Sequence, residues 1–366
     1  MTTANPQNTQ MLVAKNDLSN FKFEHSPMLT ATDLTDGQVL LEVEYFALTA
    51  NNITYAVAGD SMHYWQFFPA QADWGRIPVW GFAHVSASNH PDVAVGDRVY
   101  GYLPMGTQLV IQAERVSEKQ MIDGSAHRAG LAPVYNQLLR VNSSPDADAD
   151  ALHMLYRPLF MTSWLLDDFL AHNDFFAASQ IILTSASSKT SFGLAFMLAQ
   201  REDIKVVGLT SPGNVDFVKG LGVYDDVVTY DSVTTLDAGA DSVIVDMAGN
   251  GSTLAAVHNH FDSALRYSCL VGATHWNERS GAQEMAGPKP EPFFAPNHIK
   301  ERSAEWGPGG LENKFEAGWQ GFTANVGNWV TVQNCRGEEA VGQVYTQLLA
   351  GQAPPDVGYI ANVDPA

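Results

Sequence analysis

Residues 180–210 constrain the fold of this chain more than any other stretch. Ile181–Thr184 is a short, largely β-branched apolar run typical of a buried strand, and Phe192–Ala199 has the apolar composition of a buried helix. A second buried strand is expected at Lys205–Leu209. A strand, a turn of small residues, a helix and a strand within about 30 residues form a βαβ unit, which is the mononucleotide-binding half of a doubly wound sheet.

The chain after this unit continues to alternate between predicted strands and helices. Short apolar runs predict further strands at residues 227–230, 242–246 and 268–272, with helices at 214–221 and 252–261. This alternation indicates a parallel sheet with crossover helices. Residues 277–326 are rich in Gly, Pro, Trp and Phe, and we expect them to form a long irregular insertion.

The first 150 residues have a different pattern, which favours a small barrel-like β domain. Val39–Phe46 alternates apolar and polar positions, and a strand and a turn before another strand are expected at Ile77–Val85 and Val93–Gly101. Ala47–Gly59 is predicted to be a short helical stretch. The polar segment Pro145–Asp150 is a plausible domain boundary that starts a helix.

Composition excludes several classes of function. The formal net charge is −20, and such an acidic surface argues against nucleic acid or an anionic membrane as a partner. The two cysteines, Cys269 and Cys335, exclude a disulfide framework and fit a reducing cytoplasm. No signal peptide and no apolar run long enough to span a membrane are recognisable, so we expect a cytoplasmic protein.

Several motifs, taken together and in order, resemble a known superfamily. They include Val95–Val99 (V-G-D-R-V), Lys219–Tyr230, Ser242–Gly249, and Glu339–Ala350 as a last helix. This order is similar to that of the medium-chain dehydrogenase/reductase superfamily, in particular an uncharacterised bacterial branch of its zinc-free, quinone-oxidoreductase-like members. The resemblance covers most of the chain.

The resemblance implies an α/β fold with two domains. Residues 1–155, completed by 333–366, would form a GroES-like β-barrel catalytic domain, and residues 156–332 a Rossmann NADP-binding domain with a doubly wound parallel sheet. It also implies a homodimer that acts on a small-molecule substrate.

The zinc site of the related alcohol dehydrogenases is not expected here. Those enzymes carry Gly-His-Glu after the Pro-containing strand, where this chain has Gly81, Phe82 and Ala83. No cysteine precedes residue 269, and His84 alone cannot replace a ligand set of Cys, His and an acid. We therefore predict no metal.

The turn after the first Rossmann strand is the predicted phosphate site. The family has A-x-x-G-x-x-G there, and this chain has a serine-rich turn that retains at most one of those glycines. The residues predicted to bind phosphate through hydroxyls, an ammonium and backbone amides are Ser187, Ser188, Lys189 and Thr190. The alternative is a turn that has lost its nucleotide, with Ser and Thr serving as helix caps.

The end of the second Rossmann strand bears on the choice of cofactor. An acid there would accept a hydrogen bond from the ribose 2′-hydroxyl and repel a 2′-phosphate. This chain instead has the neutral residues Thr210, Ser211 and Asn214, which favours NADPH over NADH, although an ordinary capping turn is the alternative. By analogy with the family, the other predicted cofactor-binding residues are Tyr230, Ala248, Gly249, Gly272 and Thr274.

Hydride transfer also needs a proton donor. The Asn-Tyr-x-Asp stretch of the quinone reductases is replaced here by Thr49–Asn52, so its tyrosine has no counterpart. Asn52 is a candidate to hold the carboxamide or a substrate carbonyl, and Tyr55, Tyr64 and His275 are candidate donors. Packing is the alternative role for each of them.

Aromatic residues in two segments predict a small, apolar substrate. They would form a roof over the active site, although a core or a subunit interface is the alternative. These residues are Tyr64, Trp65, Phe67, Phe68, Phe293, Phe294, Trp306, Trp319 and Phe322.

Two hypotheses of function follow from these patterns. The first is a zinc-independent, NADPH-dependent oxidoreductase that reduces an activated C=C or C=O bond in an enone, a quinone or a similar molecule. The second is a catalytically silent NADPH-binding sensor or regulatory protein, which the missing tyrosine and the altered glycine turn keep open.

Overall fold

The structure is a computed structural model that describes residues 7–142, 145–271 and 285–364. The chain divides into two compact units. The first, called the barrel unit, contains residues 1–155 and 331–366, and the second, called the sheet unit, contains residues 156–330.

The described residues fold into strands and α-helices, each numbered in chain order. The strands are β1 (Gln7–Ala14), β2 (Asp17–Pro27), β3 (Gln38–Leu48), β4 (Trp74–Gly75), β5 (Pro78–Ser88), β6 (Arg98–Pro104), β7 (Gln108–Glu114), β8 (Gln120–Asp123), β9 (Gln137–Val141), β10 (Gln180–Leu183), β11 (Lys205–Thr210), β12 (Asp226–Thr229), β13 (Ser242–Asp246), β14 (Leu265–Val271), β15 (Glu291–Phe293), β16 (Thr331–Arg336) and β17 (Val357–Asn362). The helices are α1 (Ala50–Val57), α2 (Ala147–His172), α3 (Lys189–Leu198), α4 (Val215–Gly220), α5 (Gly251–Phe261), α6 (Ala295–Trp306), α7 (Gly310–Val326) and α8 (Glu338–Leu349).

The barrel unit contains a closed antiparallel barrel. Six strands follow one another in the order β3-β5-β6-β9-β8-β7, and β7 pairs back with β3, which leaves no open edge within the ring. The alternation of apolar and polar residues in β3 places the side chains of Val39, Leu41 and Val43 in the barrel core. The GroES-like barrel is thereby confirmed, whereas the hairpin of β1 with β2 was not predicted.

The sheet unit contains a doubly wound parallel sheet. Its strand order is β12-β11-β10-β13-β14-β15, so β10 lies at the centre, where the direction of the crossovers reverses. Ile181, Ile182 and Leu183 of β10 are fully buried, as expected for a strand covered on both faces. The predicted Rossmann fold is confirmed.

The prediction of an irregular insertion at residues 277–326 was wrong for its described part. Most of residues 295–326 form the helices α6 and α7. The buried positions of α7 recur every three or four residues, which is the spacing of one helix face. They are Leu311, Phe315, Trp319, Phe322 and Val326. The high content of aromatic residues and glycine made the helical periodicity of this segment difficult to recognise in the sequence.

The segment Pro145–Asp150 starts a helix, as expected. Helix α2 begins at Ala147 and continues to His172, past the division between the two units. Arg98, which is buried, and the hydroxyl of Tyr45 both donate to one carboxylate oxygen of Asp150 at 2.8 Å. These charge-assisted bonds fix the first turn of α2 to the barrel.

A left-handed turn of four non-glycine residues precedes β10. Asp174, Phe175, Phe176 and Ala177 have φ angles of 48°, 48°, 55° and 58°. Each such residue costs roughly 1–2 kcal/mol because its Cβ approaches the following carbonyl oxygen. The turn is held by Phe176, whose ring stacks on that of Tyr267 with centroids 4.0 Å apart.

Replacing Ala177 by glycine should stabilise the sheet unit. Glycine takes a positive φ without steric cost but has more freedom to lose on folding, so we expect Ala177→Gly to raise the free energy of unfolding by about 0.5–1 kcal/mol. Urea denaturation followed by circular dichroism measures this change.

The neighbouring alanine provides the matched control. Ala178 has φ −89° and ψ 148°, which is ordinary extended backbone. Ala178→Gly should therefore lower the free energy of unfolding by about 0.5–1 kcal/mol. Equal destabilisation by both substitutions would contradict the strain assigned to Ala177.

Candidate functional site

The carboxyl edge of the parallel sheet is organised by one buried hydroxyl. The parallel register pairs Leu183 with Val245, so the residues that follow them, Thr184 and Asp246, lie side by side. Thr184 Oγ1 donates to Asp246 Oδ1 at 2.6 Å and accepts the backbone N–H groups of Met247 and Ala248 at 2.8 and 3.1 Å. Thr184 thus ties the end of β10 to the loop after β13.

The turn after β10 reaches its conformation without glycine. Ser185 has φ 48°, in the left-handed region that usually favours glycine. Its N–H donates to the Tyr230 hydroxyl at 3.1 Å, and the Ala186 N–H donates to the Leu209 carbonyl at 3.0 Å. The Tyr224 hydroxyl in turn donates to the Ala186 carbonyl at 2.8 Å. Contacts from β11 and from the residues before and after β12 therefore hold the turn.

The predicted phosphate residues form the start of helix α3. Ser188 is its N-cap and accepts a hydrogen bond from the Ser191 N–H at 3.3 Å, as the capping alternative required. Lys189 and Thr190 open the first helical turn, where the positive end of the helix dipole favours an anion. Capping and anion binding are therefore compatible here.

The charged and polar side chains of this turn are held by neighbouring residues of the sheet unit. The Lys189 ammonium lies 5.9 Å from the ring centroid of Tyr156. The Ser187 hydroxyl accepts a hydrogen bond from Asn214 Nδ2 at 3.0 Å. Ser187 and Asn214, predicted separately as cofactor residues, are brought together by this bond.

The end of β11 carries a hydroxyl that has no hydrogen-bond partner within the described part of the chain. Thr210 is only 1% exposed, and its Oγ1 is buried. Ser211 follows and precedes a short 3₁₀ turn, Pro212–Asn214, with no carboxylate in this segment. A buried hydroxyl without a partner carries a free-energy cost that a bound ligand would remove.

Asp246 presents a second buried oxygen without a partner. Its Oδ1 accepts from Thr184 and from the Ala248 N–H at 3.1 Å, whereas its Oδ2 has no hydrogen-bond partner among residues 7–142, 145–271 and 285–364. Burial raises the pKa of this carboxyl, while the Thr184 hydroxyl and the loop amides lower it. No described Lys or Arg forms an ion pair with it.

The remaining predicted cofactor residues divide into two groups. Tyr230 supplies the hydroxyl that holds Ser185, Ala248 supplies a backbone N–H to Thr184, and Gly249 has a positive φ of 63° in the same loop. Gly272, Thr274 and the candidate donor His275 lie outside the described residues.

Sequence reasoning missed Thr184 and Asp246 as functional candidates. A signal was available, because both are polar residues that end apolar strands, and side chains at the carboxyl ends of neighbouring parallel strands share one edge. Their pairing depends on the register, which the sequence did not reveal.

In the barrel unit, both polar atoms of the Asn52 side chain form hydrogen bonds with backbone groups. Its Oδ1 accepts the Thr49 N–H at 2.7 Å in a capping box, and its Nδ2 donates to the Pro78 carbonyl at 2.9 Å. The side chain is 3% exposed. These bonds fix the start of α1 against β5.

Tyr55 and Tyr64 lie together, with ring centroids 4.6 Å apart. The Tyr55 hydroxyl accepts from Trp80 Nε1 at 3.3 Å, and the Tyr64 hydroxyl lies 3.4 Å from that of Tyr135. Both phenols are protonated at neutral pH, as tyrosines ordinarily are, and burial raises the pKa of both further. Trp80 and Tyr135 were not predicted.

Most of the aromatic residues expected to roof an active site are instead buried in the cores of their own units. Phe67 and Phe68 pack in one cluster with Tyr55 and Tyr102. In the sheet unit, the Phe322 ring stacks on that of Phe160 with centroids 4.3 Å apart. The second aromatic segment therefore stabilises helix packing.

The described residues contain no group of three or more His, Cys, Asp or Glu side chains placed to hold a metal ion. Among the same residues, no helix has the length and apolar character needed to cross a membrane.

Comparison with protein families identifies the family of this chain. A family model described as "Protein of unknown function (DUF2855)" matches residues 46–354. The chain belongs to the DUF2855 family. No curated protein matches its sequence at a significant level.

Several solved structures are similar to this DUF2855 protein in fold. CurA from Vibrio vulnificus, also solved in complex with NADPH, is 14% identical with a TM-score of 0.63, and the match covers 98% of this chain and 99% of CurA. The CurK enoyl reductase is 13% identical with a TM-score of 0.56, covering 98% and 99% of the two chains. The quinone oxidoreductase from Coxiella burnetii is 10% identical with a TM-score of 0.50, covering 98% and 100%.

At these identities the similarity shows a shared fold and nothing more. The fold that the resemblance implied is therefore confirmed.

Removing the Thr184 hydroxyl should destabilise the sheet unit of the DUF2855 protein. Thr184→Val removes one of the donors to the Asp246 carboxyl and leaves the Met247 N–H without its acceptor, which should lower the free energy of unfolding by about 2–3 kcal/mol. Urea denaturation measures the loss. Thr184→Ser keeps the hydroxyl and should lose roughly 1 kcal/mol, from one buried methyl group. Equal losses in both variants would show that the hydroxyl is not the stabilising group.

Proposed function

We propose that this protein is a zinc-independent oxidoreductase that uses NADPH to reduce an activated C=C or C=O bond. The observation that carries the proposal is the carboxyl edge of the sheet. There, an anion-favouring helix start lies between two strand ends, and Thr210 and Asp246 at those ends each carry a buried oxygen without a partner among the described residues. The fold shared with CurA, a protein solved with NADPH, supports the same cofactor.

The residues at this edge fit the phosphates of a dinucleotide. The first-turn amides of α3 and the Lys189 ammonium would bind the pyrophosphate, with the Ser187 and Ser188 hydroxyls preorganised beside them. The absence of an acid at Thr210 and Ser211 removes the repulsion that excludes a 2′-phosphate, which favours NADPH over NADH. The bound cofactor supplies the hydride for the reaction.

The candidate proton donors are Tyr55 and Tyr64. Phenols are protonated at neutral pH, and burial raises the pKa of both Tyr55 and Tyr64 further. A second aromatic side chain holds each hydroxyl, Trp80 for Tyr55 and Tyr135 for Tyr64.

Fluorescence titration tests the cofactor. We expect wild-type protein to bind NADPH more tightly than NADH, and Lys189→Ala to weaken NADPH binding by about tenfold, the size expected for a charged contact to phosphate. The control is Lys205→Ala, because Lys205 begins β11 at the opposite edge of the sheet and pairs with Asp226. Failure of wild-type protein to bind either dinucleotide would overturn the proposal.

NADPH oxidation in the presence of enones and quinones tests the donor. We expect Tyr64→Phe to lower kcat by about 100-fold, the contribution typical of a general acid, with little change in the Kd of NADPH. The control is Tyr359→Phe. The Tyr359 hydroxyl donates to Gln347 Oε1 of α8 at 3.5 Å and is not a candidate proton donor. Tight NADPH binding without oxidation of any such substrate would favour the sensor or regulatory function instead.

A further inference from the structure

We propose that Asp246 binds the cofactor directly, with Oδ2 accepting a hydrogen bond from a ribose hydroxyl on the nicotinamide side. This inference rests on the proposed NADPH binding and adds a residue that lies outside the phosphate turn.

The order of the strands determines which part of a dinucleotide each strand end meets. Strands β11 and β13 flank the central strand β10. In a Rossmann sheet the second strand, here β11, ends at the adenine-side ribose, while the turn after the first strand faces the pyrophosphate. Neighbouring strands are about 4.8 Å apart, so the nicotinamide-side ribose falls beside the end of β13, where Asp246 is the last residue.

The hydrogen bonds of Asp246 leave one atom for this role. Thr184 and the Ala248 N–H occupy Oδ1 and fix the orientation of the carboxyl group. Oδ2 is buried without a partner in the described chain, and a carboxylate is an acceptor that needs a donor. The hydroxyls of a ribose are donors of the required kind, and a carboxylate is the group that Rossmann folds use for ribose elsewhere.

The nearby ionisable groups do not satisfy Oδ2. The ring of His258 in α5 bonds the Ala286 carbonyl through Nδ1 at 2.7 Å and Ser268 Oγ through Nε2 at 2.8 Å. Both ring nitrogens of His258 are therefore engaged elsewhere. The Cys269 thiol in β14 is buried, and burial raises its pKa, so it stays neutral. The backbone N–H groups of Ala248 and Gly249 lower the pKa of this carboxyl, and Oδ2 remains the oxygen that can accept a hydrogen bond from a ligand hydroxyl.

The test is the substitution Asp246→Asn, with two probes. Asparagine keeps an oxygen for Thr184 and Ala248 and replaces only the second oxygen, so the fold should be retained. NADPH contains both riboses, whereas 2′,5′-ADP contains only the adenine-side ribose and its phosphates. Isothermal titration calorimetry gives the Kd of each probe for wild-type and variant protein.

We expect Asp246→Asn to raise the Kd of NADPH by about tenfold, the effect of losing one hydrogen bond to a charged acceptor, and to leave the Kd of 2′,5′-ADP within about twofold. Thr210→Val is the matched variant at the end of β11, on the other side of β10 from Asp246. It should weaken the binding of both probes to a similar extent. The two variants together separate the two sides of the site.

Other results would contradict either the proposed function or the proposed role of Asp246. If wild-type protein binds neither probe, the proposed function itself fails. If wild-type protein binds both probes, and Asp246→Asn weakens both equally or neither, Asp246 has no contact with the nicotinamide side and the inference is wrong. A thermal melt of each variant shows whether a loss of binding comes from unfolding.

Discussion

The carboxyl edge of the sheet unit depends on the hydrogen bond between Thr184 and Asp246. The bond is 2.6 Å long, both residues are buried, and the same hydroxyl accepts two backbone N–H groups of the loop after β13. A buried carboxylate is costly unless it accepts hydrogen bonds. Oδ1 of Asp246 accepts from the Thr184 hydroxyl at one strand end and from the Ala248 N–H after the next, so these bonds link the position of the serine-rich turn to that of the next loop.

The proposed site would achieve affinity for anions with little positive charge. The chain carries a net charge of −20, and Lys189 is the cation of the turn itself. The other contributions are neutral: the amides at the start of α3, the hydroxyls of Ser187 and Ser188, and the dipole of the helix. Neutral donors of this kind discriminate by geometry, because they act only on a phosphate that reaches the helix start.

The serine-rich turn shows how the first turn of a Rossmann sheet can be built without the usual glycines. Ser185 adopts a positive φ that costs about 1–2 kcal/mol, and hydrogen bonds from the turn's own N–H groups to Tyr230 and Leu209 hold that conformation. The local sequence did not reveal how this turn is stabilised, since the residues that hold it lie much further along the chain.

The sequence by itself determined the two architectures, the central βαβ unit and the neutral end of β11, because hydrophobic period and strand-end chemistry are local properties. It did not reveal helices α6 and α7, whose apolar period lay within an aromatic and glycine-rich composition. Only the tertiary structure decided that Thr184 meets Asp246 and that Tyr55 meets Tyr64 and Trp80. Those contacts depend on strand register and on packing between distant segments, and neither can be derived from local sequence patterns.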